Sequence, residues 1–150
     1  MESFMTIASA KVSTSALEAQ DMGFFKKTTN TANRINLIKD AKNQVLNTAS
    51  LGYVKTTIKK KIKVHGRSAL AMFNAGIETM KQGMYITEYD QKLAQKLAHI
   101  MCGGDLTQEC YVDEQYLLDL ERETMVSLCG EEKTLQRMHS ILFKRKPLRN

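Results

Sequence analysis

The sequence predicts a mostly α fold: five or six amphipathic helices packed as a small bundle, with at most one short extended segment near residues 53–64. Three observations carry that expectation. Apolar residues recur at three and four along most of the chain. Gly punctuates the periodic stretches, at Gly23, Gly52, Gly83, Gly103 and Gly130, and only one Pro interrupts them. β-branched residues cluster in one place alone, between Tyr53 and Val64.

Taken in order, residues 2–9 suit a short helix with Phe4, Met5 and Ala8 on one side. Ser15 and Glu18 have capping-box spacing, which starts a helix over Ala16–Met22 with Leu17 and Met22 inward. Asn30 or Thr31 caps a longer helix, about Ala32–Ser50, with Ile35, Ile38, Ala41 or Lys42, Val45 and Ala49 on its apolar stripe. From Arg67 the helical period dominates. Ala69–Lys81 places Leu70, Phe73, Ile77 and Met80 on one face. Thr87 is the N-cap of the next helix, whose stripe is Tyr89, Leu93, Leu97, Ile100 and Met101. Asp113 caps a helix burying Tyr116, Leu117, Leu120, Met125 and Leu128. Glu131–Lys144 closes the set, acids first and bases last, as the helix dipole favours.

Composition narrows the function classes. A chain of 150 residues with 43% hydrophobic residues is large enough for its own core. No apolar run is long enough to cross a bilayer and no signal pattern opens the chain, so a cytoplasmic protein is expected. Three Cys (Cys102, Cys110, Cys129) make neither a disulfide framework nor a zinc clamp, and read as reduced thiols. Cys102 and Cys129 look buried, and Cys110 falls in an expected loop. Nine Met point to an adaptable core.

The net charge of +6 is uneven. Residues 1–70 hold 12 Lys/Arg against 4 Asp/Glu, whereas residues 71–150 hold 10 against 12. The densest basic stretch includes Lys59, Lys60, Lys61, Lys63 and Arg67. Such a stretch suits phosphate groups, or simply a solvated edge. It lacks the interleaved aromatics of single-strand binders, so nucleic acid is not the expected partner.

Catalytic chemistry is sparse. No Gly-x-Gly-x-x-Gly, Walker, Gly-x-Ser-x-Gly or His-Glu-x-x-His motif is present. His65, His99 and His139 are isolated, and no acid stands one turn from His99 on its helix. No catalytic residue and no metal ligand is assigned.

Several segments resemble a known family. Ala10–Phe24, with Ser15-Ala16-Leu17-Glu18-Ala19 leading to Gly23-Phe24, resembles a stretch of the crotonase (enoyl-CoA hydratase/isomerase) family. Tyr85–Asp90, Lys96–Gly104, Glu114–Glu123 and Lys146–Asn150 follow in one order. Together they resemble the C-terminal end of bacterial 3-hydroxyacyl-CoA dehydrogenases fused to a crotonase domain. Val54-Lys55-Thr56-Thr57 departs from the Pro-rich continuation usual there, and Phe143-Lys144-Arg145 from a small Gly-containing turn.

The resemblance implies a fatty-acid β-oxidation protein whose parent family uses NAD and acyl-CoA. It implies that residues 1–52 end a crotonase-like domain, 53–66 form a basic extended linker and 67–150 form a C-terminal helical module, all within one compact unit. None of the family's nucleotide-loop or acid/base motifs has a counterpart, so no cofactor is expected in this chain. The expected role is architectural, or the lining of an acyl-CoA channel. Lys59, Lys60, Lys61, Lys63 and Arg67 are then the candidates for CoA phosphates, and Tyr53 for the adenine. The expected partners are the missing catalytic domains, in cis or on a separate chain, a CoA ester, and a second copy covering Phe4, Met5 and Phe24-Phe25. The alternative is a stand-alone basic module for an acidic partner or nucleic acid. An independent hydratase or dehydrogenase is the least supported reading.

Overall fold

The fold is described from a computed structural model over residues 2–25, 33–54 and 61–150. It is mostly helical. The helices are α1 (Glu2–Ala8), α2 (Ala16–Asp21), α3 (Leu37–Ser50), α4 (Gly66–Gln82), α5 (Glu88–Cys102), α6 (Glu114–Cys129) and α7 (Glu132–His139). Two three-residue strands, β1 (Ile62–Val64) and β2 (Cys110–Val112), form an antiparallel ladder with Lys63 opposite Tyr111. No helix among the described residues is long and apolar enough to cross a membrane.

The chain forms two compact units, Met1–Ser9 with Lys59–Asn150, and Ala10–Ile58. In the larger unit the core lies where α1, α4 and α5 meet. Phe4, Ile77, Ala94 and Ala98 are buried there, with Leu70, Phe73, Met80 and Leu97 packed against them. Ala94 and Ala98 sit four residues apart, so one face of α5 is small and α4 can approach it closely. Phe4 meets Phe73 with ring centroids 4.8 Å apart. Phe4 is therefore core, not part of the exposed face expected for it; Met5, Phe24 and Phe25 are exposed.

Thr87 starts α5 with a full capping box. Its hydroxyl accepts the Asp90 N–H, and the Asp90 carboxylate accepts the Thr87 N–H, both at 3.1 Å. α5 ends at Gly103, whose φ of +89° suits glycine. A Cβ there would come within 2.8 Å of Val64, so β1 runs hard against this turn. α7 gives way at Ser140 to a wider turn of π helix over Ser140–Lys144, instead of continuing regularly to Lys144.

In the smaller unit, Ser15 caps α2 by accepting the Glu18 N–H. The expected return bond goes elsewhere. The Glu18 carboxylate takes the N–H and hydroxyl of Thr14, both at 2.7 Å. Leu17 points outward, leaving Ala19 as the buried residue of α2. The expected caps of the next helix, Asn30 and Thr31, and its expected start at Ala32 lie outside the described residues. Asn33 caps a short 3-10 turn over Arg34–Asn36, and the α-helix starts at Leu37.

Candidate functional site

Two surfaces compete for the role: the basic segment around β1 and the apolar face of α3. In β1 the side chains alternate, with Val64 buried and Lys63 outward. Lys61 and Arg67 are exposed, at the start of the strand and in the first turn of α4. Lys59 and Lys60 lie outside the described residues.

Lys63 is not free to meet a phosphate. Its Nζ lies 2.6 Å from one carboxylate oxygen of Glu109, and His65 Nδ1 lies 2.9 Å from the other. The hydrogen bond from Lys63, then that from His65, holds the Glu109 carboxyl below its ordinary range. The same bond holds the Lys63 ammonium above its own. Glu109 reaches β1 because β2 pairs with it one residue further on. Cys110, expected in a loop, stands in that strand. Among the described residues, Lys61 and Arg67 are the cations of the segment without an ion pair.

Gly66 fixes where the basic segment turns into α4. Its φ is +64°, and a Cβ would lie 2.8 Å from the Gln108 carbonyl oxygen. Only glycine lets the 106–108 loop pass this close.

α3 is the other surface. None of its residues is buried. Leu37, Ala41, Val45 and Ala49 recur every four residues and, with Asp40, Gln44, Thr48 and Tyr53, line an open groove of about 500 Å³. Ile35 is 91% exposed. The helical period was legible, but nothing within its own unit buries this face. Tyr53, the expected adenine partner, borders this groove.

A third cluster escaped sequence reasoning. Arg137 on α7 donates to Asp90 at 2.7 Å and to the Asn150 side chain at 2.8 Å. Its guanidinium lies 5.1 Å from the Tyr89 ring centroid, and the Tyr89 hydroxyl bonds Thr134 in the buried layer. Every polar group here has a partner within the fold, so the cluster binds the structure together and not a ligand.

The thiols give little chemistry. Burial pushes the Cys102 thiol above its ordinary range, which disfavours the nucleophilic thiolate. Cys129 is exposed, against expectation, because the outer side of α6 is uncovered; Tyr116 and Met125 are exposed on the same helix. No group of three or more His, Cys, Asp or Glu among the described residues is placed to hold a metal ion.

Comparison with known proteins is decided by one match. The chain is 44% identical over its whole length to a Bacillus subtilis (strain 168) protein named probable 3-hydroxyacyl-CoA dehydrogenase. The matched region is 19% of that protein, so the chain spans about one-fifth of its relative. No family model and no solved structure matches the chain.

Proposed function

We propose that this chain is the C-terminal helical module of a fatty-acid β-oxidation enzyme of the 3-hydroxyacyl-CoA dehydrogenase/enoyl-CoA hydratase type. Its role is architectural: the apolar face of α3 lies against the part of the enzyme that carries the catalytic groups. The observation that carries this reading is the bareness of α3. A 14-residue helix with no buried residue is marginal in water by itself. Such a helix is stabilised when its apolar stripe is covered. The whole-length likeness to one-fifth of a probable dehydrogenase supports a body of that kind as the cover. In this reading NAD and the acyl-CoA substrate belong to the larger body. Lys61 and Arg67, with Lys59 and Lys60, reach CoA phosphates where the module borders the acyl-CoA channel.

The test is complementation. The Bacillus subtilis relative, deprived of its matching fifth, is co-expressed with this chain, and hydroxyacyl-CoA-dependent NADH formation is measured. The expected result is activity with the wild-type chain and none with Val45→Asp, which puts a charge on the α3 groove. A folded chain that restores nothing and does not co-purify with the body sinks the proposal. Calorimetric titration with CoA and acetoacetyl-CoA separates channel lining from pure scaffolding.

The alternative, a stand-alone basic module for an acidic partner or nucleic acid, loses weight at Glu109. That carboxylate already occupies Lys63, one of the cations such a partner would need, and engages His65 beside it.

A further inference from the structure

We propose that the turn after α7 is a peripheral contact with an anionic lipid surface. Ile141, Leu142 and Phe143 form an apolar tip that enters the surface. Lys144, Arg145, Lys146 and Arg149 form a cationic collar that meets the headgroups.

The tip begins where α7 gives way to the π turn over Ser140–Lys144. Ile141, Leu142 and Phe143 are 58%, 70% and 75% exposed. A π turn holds more residues than an α turn, so successive side chains stand closer together around its axis. The tip is braced from beneath. Ser140 is buried, its hydroxyl donates to the Lys146 carbonyl at 2.8 Å, and the Lys146 N–H donates back to the Ser140 carbonyl at 3.4 Å. The His139 and Phe143 rings meet with centroids 4.7 Å apart. Arg145, with φ +51°, turns the chain back. Asn150 is then tied to Arg137 and Gln136, each at 2.8 Å. The collar is therefore fixed at both ends beside the tip.

Charge selects the partner. Residues 133–150 contain six Lys/Arg and no Asp or Glu. The four collar cations are exposed, and none has an ion pair among the described residues. An exposed apolar patch rimmed by polar groups marks a protein or membrane contact. The outer side of α6 also exposes Leu118, Met125 and Val126, but Glu121 and Glu123 are exposed on the same helix and would repel an anionic surface. Only the turn after α7 joins bulky apolar side chains to a dense run of cations, the combination that binds anionic bilayers at their interface. A bilayer receives such a tip without a matched socket, which a protein partner would have to supply. The contact does not depend on which body covers α3.

The experiment uses the full chain and sedimentation with vesicles, either of phosphatidylcholine alone or of phosphatidylcholine and phosphatidylglycerol in equal parts. Binding is expected to the anionic vesicles only, and to weaken as salt rises. Lys144→Gln with Arg145→Gln weakens it about tenfold or more, since each cation near such a surface contributes about fivefold. Phe143→Asp weakens it about tenfold or more. Lys39→Gln with Lys42→Gln, on exposed positions of α3, leaves it unchanged. The chain has no Trp, so Phe143→Trp places a single indole at the tip, and its fluorescence should shift to the blue on binding. All these positions are exposed, and far-UV circular dichroism checks that each variant keeps its fold. Equal binding to both vesicles, or binding without a blue shift, overturns the proposal. Binding lost in Val45→Asp but kept in Phe143→Asp also overturns it and moves the lipid contact to α3. Absence of binding to anionic vesicles overturns it as well; if Phe143→Asp then abolishes complementation of the Bacillus subtilis body, the tip is a protein contact.

Discussion

Replacing Arg137 by Ala tests how α5, α7 and the last residues are held together. The side chains of Arg137 and Asp90 are only 16% and 21% exposed, so their contact at 2.7 Å is shielded from solvent. Three contributions disappear together. A hydrogen bond between charged groups stabilises by about 1.5–3 kcal/mol. The bond to the Asn150 side chain adds about 1 kcal/mol. The stacking over Tyr89 adds about 0.5–1 kcal/mol. The contributions overlap, and some of the surroundings relax, so a loss of about 3 kcal/mol is expected. For a chain of this length that lowers Tm by roughly 6–12 °C.

The assay is urea unfolding followed by far-UV circular dichroism, at pH 7 and then at decreasing pH. Burial raises the Asp90 carboxyl, but the Arg137 bond and the two bonds from Thr87 outweigh it, so the group is held below its ordinary value. A lowered carboxyl stabilises the fold above its unfolded pKa, about 3.9 for Asp. That stability is lost as pH falls through the folded value. The gap between wild type and Arg137→Ala should therefore be full at pH 7 and shrink below about pH 3.9. A gap under about 0.5 kcal/mol at pH 7, or one that persists unchanged to the acid end, refutes the reasoning. A cycle with Asp90→Asn should show a coupling of about 1–2 kcal/mol.

Further outcomes follow from the same contacts. Gly66→Ala should destabilise by about 2–4 kcal/mol in the same urea assay, because both its positive φ and the Gln108 carbonyl exclude a Cβ. Thr134→Val leaves the Tyr89 hydroxyl without its partner and should lower stability by about 1–2 kcal/mol, read as a shift in urea midpoint. Glu109→Gln frees Lys63 and His65, so CoA affinity measured by calorimetry should rise about threefold if the basic segment holds its phosphates. Stability should hardly change, since the pair is exposed. Hydrogen exchange should find the amides of α3 far less protected than those of α5, where Ala98 is fully buried.

The sequence was legible wherever a helix carries its own punctuation. Thr87 with Asp90, Gly103 after α5 and Gly130 after α6 fall where local chemistry puts them. Burial was less legible, because periodicity names a face without naming its cover. Leu17, Val45 and Met125 have the right spacing and stay exposed. Phe4 erred the other way: its short helix docks on Phe73, from a segment about 70 residues distant. At the candidate site, the charge cluster near β1 was visible, but its neutralisation was not. Glu109 and His65 are 44 residues apart, and only the strand pairing brings them together. Arg137 with Asp90, 47 apart, escaped for the same reason.

The pairing of β1 with β2 also constrains the order in which the chain can assemble. Its two strands bracket α4 and α5, so zipping them in an otherwise unfolded chain would close a long loop against a large entropic penalty. Three residue pairs give little in return. Once α4 and α5 have met through Ile77 and Ala98, most of that loop is already closed, and the ladder adds at small further loss. The sheet is therefore a late latch on a helical hairpin. Lys63, His65 and Glu109 assemble only with it, so their ion pairs form after α4 and α5 have met.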